Sequence, residues 1–226
     1  MKKILIKLWL NFYPFIFVRK FFNTFKPAIW LYGLLVNVNK KIVLDADLWR
    51  TEDHYNSDFY LDLDSQGQKF IDYVAQNTQS EDKVLDVCCN QGRFLLELQR
   101  NKYSALYGFD IMGSAIKKLK NHPEYLPQVI NIEHTLAQEY FKNKDDDFFD
   151  WAITYTATIE LINPKFDIFF ELSRTVKKGM FLVINENGHA YPRFYRLLHR
   201  MHGFEICSVS QLYDKAVLIH SIKKEK

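Results

Sequence analysis

Two carboxylates and a turn of small residues carry the first chemical signal in this chain. Lys83-Val-Leu-Asp-Val-Cys-Cys-Asn-Gln-Gly-Arg-Phe-Leu-Leu-Glu97 is an apolar run ending in Asp86, then a tight turn through Cys88, Asn90 and Gly92, then helically spaced apolar residues from Phe94 to Leu98. That is a strand, a ligand loop and a helix start. The N–H groups of a helix's first turn have no partners inside the helix, so a loop at this place can hold a polar ligand. Asp110 closes the next apolar run, 24 residues after Asp86. A strand-helix-strand unit puts its second acid about 20 residues on, where it can accept hydrogen bonds from both ribose hydroxyls of an adenosyl ligand. The same carboxylate could instead cap the helix starting near Ser114. A nicotinamide cofactor asks for G-x-G-x-x-G, and counting from Cys88 the three positions hold Cys88, Asn90 and Arg93, which disfavours a nicotinamide-dependent oxidoreductase.

A second set of polar residues lies further on. In Asn185-Glu-Asn-Gly-His189, just past a predicted strand, Glu186 and His189 are candidates to take a proton from an oxygen acceptor; a capping carboxylate and a surface histidine are their plainer roles. In Tyr191-Pro-Arg-Phe-Tyr-Arg196, Tyr191 and Arg193, with Arg196, could bind an anionic or sugar-like acceptor, although a helix with Pro near its first position explains the same letters. His199-x-x-His202 with Cys207 lacks a fourth metal ligand, so no metal site is expected. Asp145-Asp-Asp147 reads as a solvated loop.

The elements that must position these groups alternate. Ser65-Gln-Gly-Gln68 has a capping-box pattern and opens a helix with Phe70, Ile71, Tyr73 and Val74 on one stripe. After the strand and helix around the loop come a strand from Ala105 to Asp110, a helix from Ser114 to Leu119, a strand from Gln128 to Glu133 and a short helix from Thr135 to Phe141. Phe148 to Tyr155 is predicted as strand, Lys165 to Val176 as helix, Gly179 to Asn185 as strand and Pro192 to Met201 as helix. Repeated strand-helix units imply a parallel sheet covered on both faces, with ligands at the carboxyl ends of its strands. Phe204 to Val209 and Ala216 to Ile222 are separated by a stretch too short for a crossover helix and should pair as an antiparallel hairpin.

The 226 residues suit one domain with an extension, and 48% hydrophobic content is ample for a core. A net charge of +3 is too small and too scattered to argue for a polyanion, so no nucleic-acid partner is expected. The odd count of cysteines, Cys88, Cys89 and Cys207, is no disulfide framework and favours a reducing compartment. Residues 1 to 40 interleave Phe12, Phe15, Phe17, Phe21, Phe22 and Phe25 with Lys7, Arg19, Lys20 and Lys26, without a cleavage pattern or a run long enough to span a bilayer. They read either as an interfacial anchor or as a lid on the main domain, which makes the expected location cytoplasmic or peripheral at the inner face of the membrane. Leu44 to Asp64 mixes acids with Trp49, His54, Tyr55, Phe59 and Tyr60 without a period; it is either a segment covering the ligand, with His54 toward substrate, or a solvated linker. The division is an extension over 1–64 and a main domain over 65–226.

Val84-Leu-Asp-Val-Cys-Cys-Asn-Gln-Gly92 resembles the first motif of the class I S-adenosylmethionine-dependent methyltransferases, hydrophobic-Leu-Asp-x-Gly-x-Gly-x-Gly, with Cys88 and Asn90 where the family has its first two glycines. Asn enters the left-handed region more readily than most residues, and Cys is small. Tyr107-Gly-Phe-Asp-Ile111 with Ser114-Ala-Ile is similar to the second motif. Phe149 to Leu161, with Glu160, is similar to the fourth strand and its loop, and Leu172 to Ile184 resembles the fifth-strand motif with a Lys-x-Gly turn. The resemblance covers about residues 65 to 226. It implies a Rossmann-like, doubly wound, mostly parallel α/β sheet of seven strands ending in an antiparallel hairpin. It further implies S-adenosylmethionine as cofactor, with its methionine part near Asp86, Cys88, Asn90 and Gly92, its ribose on Asp110 and its adenine near Ile111 and Gln138. Tyr155, at the end of the fourth strand, joins that set. The implied activity is methyl transfer to a small-molecule acceptor; the alternative is a binding or scaffold protein that keeps the fold without the activity.

Overall fold

A computed structural model describes residues 62–156, 158–162, 166–184, 195–213 and 216–224. Helix α1 (Ser65–Asn77) leads into β1 (Lys83–Val87), α2 (Arg93–Arg100), β2 (Ala105–Asp110), α3 (Gly113–Lys120), β3 (Ile130–His134), α4 (Ala137–Lys142) and β4 (Phe149–Tyr155). A 3-10 turn (Ile159–Leu161) precedes α5 (Ile168–Thr175), β5 (Val176–Ile184), α6 (Tyr195–Met201), β6 (Phe204–Tyr213) and β7 (Ala216–Lys223).

The strands form one seven-stranded sheet in the order β3-β2-β1-β4-β5-β7-β6. The first five run parallel, and β7 pairs antiparallel with both β5 and β6. The order reverses between β1 and β4, so the crevice beyond their carboxyl ends is the natural ligand site. Side-chain alternation splits the core in two. Val84, Leu106, Ile153, Phe181 and Leu218 pack against α1, α2 and α3. Leu85, Val87, Phe109, Leu182 and Ile219 pack against α4, α5 and α6. Burial on both faces is why β1 is apolar at consecutive positions, and why Asp86, buried among them, stands out.

Some boundaries differ from the sequence expectation. Helix α1 starts at Ser65, but its cap is Asp64, whose Oδ1 accepts the Gly67 N–H at 2.7 Å; Gln68 donates instead to Asp72 at 2.9 Å. The carboxylate one residue earlier therefore takes the role expected of Ser65. Lys177-Lys178-Gly179 is not a turn: β5 runs through it from Val176. A Cβ on Gly179 would strike the Ser221 carbonyl and the Trp151 ring, and Lys178 is drawn to Asp82 and Asp150, so packing holds the segment extended. Strand β6 continues to Tyr213, beyond the expected Val209, because its ladder with β7 runs on to Tyr213–Ala216. Helix α5 is shorter than expected and begins after Asp167, whose Oδ1 caps the Phe170 N–H at 3.0 Å.

Candidate functional site

The loop between β1 and α2 turns by left-handed backbone at alternate residues: φ is +55° at Cys88, +51° at Asn90 and +71° at Gly92. Glycine is required at the last of these, since a Cβ there would be driven into the Leu119 side chain. Asn tolerates this region through its short polar side chain, whereas Cys88 holds it at a cost of roughly 1 kcal/mol. The strain is sustained by ties from β2. The Cys89 N–H donates to the Phe109 carbonyl at 2.9 Å, and the Asn90 N–H donates to Asp110 Oδ2 at 2.8 Å. Gly92 N–H closes the turn on the Cys89 carbonyl at 2.8 Å.

Gly108 makes room for this seat. A Cβ there would come within 2.9 Å of Leu95 and Ile132 and 3.0 Å of the Cys89 sulfur, so a side chain would lift both loop and helix off the sheet. The sequence reading passed over it; a lone glycine inside a strand pattern was its signal.

Asp86 and Asp110 face the loop from neighbouring strands, paired in register as Asp86–Gly108 and Val87–Phe109. Asp110 Oδ1 also accepts the Met112 N–H at 2.8 Å, so each of its oxygens already carries one backbone hydrogen bond and keeps one lone pair for a ligand. Burial pushes its carboxyl up, and the Met112 and Asn90 N–H groups partly offset this. Asp86 is buried, and its Oδ2 has no hydrogen-bond partner among the described residues. Burial first, then the charge of Asp110, push its carboxyl well above the usual range, while Arg93 pulls the other way. The Cys88 and Cys89 thiols are pushed up by burial and by the same two carboxylates, so both are held protonated and inert at neutral pH.

Tyr155 ends β4 beside the loop. Its ring lies 4.9 Å from Phe94 and 5.3 Å from Phe70, and its buried hydroxyl is also without a partner among the described residues. Desolvation raises that phenol far above its ordinary value, so it remains a hydrogen-bond donor. Asn90 Oδ1 is a third such buried atom.

The structure thus brings Asp86, Cys88, Asn90, Gly92, Asp110 and Tyr155 together at the switch point. Ile111 follows on the same edge, half-buried, its carbonyl 3.0 Å from His134 Nε2. Gln138 is exposed in the first turn of α4, directly after β3. Glu160 is fully buried in the turn after β4, where its Oε2 accepts the Thr158 N–H at 3.1 Å. Glu186, His189, Tyr191, Arg193 and His54 lie outside the described residues, as do the extension's residues 1 to 40. His199 Nδ1 meets its own helix at the Tyr195 carbonyl, 2.5 Å away, and Cys207 is exposed on β6.

Three buried polar atoms without partners among the described residues, around a left-handed loop, fit a ligand that carries both ammonium and carboxylate groups, and the free lone pairs of Asp110 fit hydroxyl donors. No curated protein sequence matches the chain. Solved structures share the fold. The PH0226 protein from Pyrococcus horikoshii OT3 superimposes with a TM-score of 0.59 at 16% identity, over 73% of this chain and 95% of that one. Magnesium protoporphyrin IX methyltransferase from Synechocystis PCC 6803, solved with bound SAM, gives 0.58 at 13% identity over 80% and 99%. Geranyl diphosphate C-methyltransferase from Streptomyces coelicolor A3(2), solved with Mg2+, geranyl diphosphate and S-adenosyl-L-homocysteine, gives 0.57 at 12% identity over 71% and 79%. The family profile of a methyltransferase domain matches residues 59–221, which includes the whole β1 to β6 framework and most of β7. On that match, together with the 3-2-1-4-5-7-6 sheet, the chain belongs to the class I S-adenosylmethionine-dependent methyltransferases.

Proposed function

We propose that this chain binds S-adenosylmethionine at the carboxyl ends of β1, β2 and β4 and transfers its methyl group to a small-molecule acceptor. The observation that carries the reading is the left-handed backbone at residues 88, 90 and 92: the loop turns as glycines would allow although Cys88 and Asn90 stand at two of the three positions. Asp86 and Asp110 supply negative charge to a cationic cofactor, and Asp110 offers its two remaining lone pairs to the ribose hydroxyls. Ile111 and Gln138 flank the adenine end. The cofactor supplies an electrophilic methyl group on a sulfonium, so the protein's work is alignment of the acceptor and exclusion of water. Glu186 and His189 are the proposed bases for an oxygen acceptor, and His54, Tyr191 and Arg193 the proposed acceptor contacts. For the acceptor we propose a small molecule, with sugar, lipid-linked and carboxylate compounds as the classes to test.

Calorimetric titration with S-adenosylmethionine tests the binding: saturation is expected, and Asp110→Ala should weaken it. Absence of binding to folded protein would contradict the reading. A screen of acceptor classes with methyl-labelled cofactor then tests transfer. For residues 1 to 40 we propose contact with an anionic membrane surface, at the inner face of the membrane. Deleting them should abolish liposome sedimentation if they anchor the chain, and should leave an aggregating core if they cover it. Among the described residues no helix is long and apolar enough to cross a membrane.

A further inference from the structure

Helix α1 touches two parts of the molecule at once. Its Phe70 ring lies 5.5 Å from Phe94 and 5.3 Å from Tyr155, so it walls the loop after β1. Three residues on, Tyr73 reaches the terminal hairpin: its hydroxyl is 3.2 Å from His220 Nδ1 and 3.0 Å from Ser208 Oγ. His220 and Ser208 are register partners on β7 and β6, so one phenol ties the helix to both strands. The His220 ring is buried, stacked on Phe181 at 4.4 Å with Trp151 at 6.0 Å. Its Nε2 has no hydrogen-bond partner among the described residues.

This seat suits a neutral imidazole. The chain His220–Tyr73–Ser208 can then run in either direction, because a neutral ring nitrogen and a hydroxyl can each take either part. An imidazolium can only donate. Its Nδ1–H must point at Tyr73, Tyr73 must donate to Ser208, and the second N–H carries charge into an apolar wall with nothing to accept it. Tyr73 from α1, Trp151 from β4, Phe181 from β5 and Ser208 from β6 face the ring, and of these only the Tyr73 phenol titrates. Asp82 meets Trp151 at the indole N–H and is engaged there with Lys178. No acid in this set therefore compensates a charge on His220, and burial pulls its pKa below the ordinary value.

We propose that His220 is a proton-sensitive latch on α1: neutral, it holds the helix on the hairpin through Tyr73; protonated, it lets the helix go and opens the wall of the loop after β1. The folded-state pKa lies below the unfolded one, so the latch is fully present above about pH 6.5 and is lost as pH falls through the folded value. His199 is across the sheet, on α6 against Phe169 and Phe204.

Amide hydrogen exchange of the full chain tests the latch, with α3, which packs on the same face of the sheet, as internal reference. After correction for intrinsic exchange, protection over residues 70–74 should fall several-fold, up to roughly tenfold, between about pH 7.5 and 5.5, while α3 keeps its protection. His220→Gln keeps a hydrogen-bonding side chain that does not titrate, and should abolish this pH dependence. Tyr73→Phe leaves the imidazole in place and cuts the tie, so α1 should lose protection roughly two- to tenfold already at about pH 7.5; this variant decides alone if His220→Gln does not fold. Equal loss in α1 and α3, a pH dependence that survives His220→Gln, or unchanged protection in Tyr73→Phe would each overturn the latch. The readout uses no ligand, so its failure leaves the cofactor assignment standing.

Discussion

Asp82 just precedes β1 and Asp86 lies near its carboxyl end, both nearly withdrawn from water, at 5% and 2% exposure, and their surroundings treat them in opposite ways. Asp82, at the amino end of β1, is fully engaged. Its Oδ2 accepts the Gln79 N–H and the Trp151 indole N–H, each at 2.9 Å, and its Oδ1 takes the Lys178 ammonium. Burial alone would raise its carboxyl, but the hydrogen bonds from Lys178, the Gln79 N–H and Trp151 together hold it below the usual range. Asp86, at the carboxyl end, has an oxygen without a partner among the described residues and a carboxyl pushed up by burial and by Asp110. One aspartate closes the fold at the blind end of the sheet; the other is left uncompensated at the end where a ligand belongs. Buried charge without a partner lowers stability, so its presence marks a place where a bound cation completes the structure.

The two carboxylates should respond to pH with opposite signs. Asp82 has a folded-state pKa below its unfolded value, so its contribution is present above the unfolded pKa and is lost as pH falls through the folded one. Asp86 has a folded-state pKa above its unfolded value, so its contribution is present below the unfolded pKa and is lost as pH rises through the folded one.

The largest expected effect is on stability. Asp82→Ala leaves the buried Trp151 N–H without its acceptor and Lys178 without its close partner. It should cost about 2–3 kcal/mol by denaturant unfolding, below the full value for a buried pair because Lys178 is 41% exposed. Affinity for S-adenosylmethionine should stay within about twofold in the folded fraction, and a tenfold loss would break the contrast. His199 sharpens the acid side of it. Burial pushes its pKa down to about 4, so the neutral ring's contribution is present above about 6.5 and is lost as pH falls toward 4, an effect on the order of 3 kcal/mol. His199→Phe should flatten the acid limb of the stability curve while leaving the Asp82 part intact.

Asp86→Asn should act the other way round. Cofactor affinity should fall roughly ten- to a hundredfold, while the free protein's melting temperature at neutral pH should rise, by about 2–4 °C for each kcal/mol of charge burial relieved. A variant less stable than the parent and equal in affinity would reverse the assigned roles.

The smallest effect belongs to the loop. Cys88→Gly with Asn90→Gly relieves left-handed strain but frees the unfolded chain, so stability should change by less than about 1 kcal/mol. Cofactor affinity should fall if the Asn90 amide belongs to the proposed site; a gain would mean that the two side chains obstruct it.

Much of this was legible in the residues. The β-α alternation and the short hairpin connection gave the sheet, because periodicity and loop length are local properties. Asp86, Asp110 and the turn between them were legible because a strand end, a helix start and their spacing are written in sequence. Two strand positions were not, one beneath the loop and one at the blind end of the sheet. Gly108 matters through Leu95, Ile132 and Cys89, which reach it from elsewhere in the chain, and Lys178 is drawn out of an apparent turn by Asp82 and Asp150. Arg93 was read only as a missing glycine; in the fold its guanidinium lies over the rings of Phe94 and Tyr155.

The central claim is that Asp86 waits for the cation of S-adenosylmethionine. Titration calorimetry in two buffers of different ionisation enthalpy, at a pH below the free-state pKa of Asp86, reads it directly. Binding a cation beside this carboxylate should lower its pKa, so saturable binding should release protons, affinity should rise with pH, and both should vanish in Asp86→Asn. Binding that releases no protons and survives Asp86→Asn unchanged, or no binding to the folded protein at all, would contradict it.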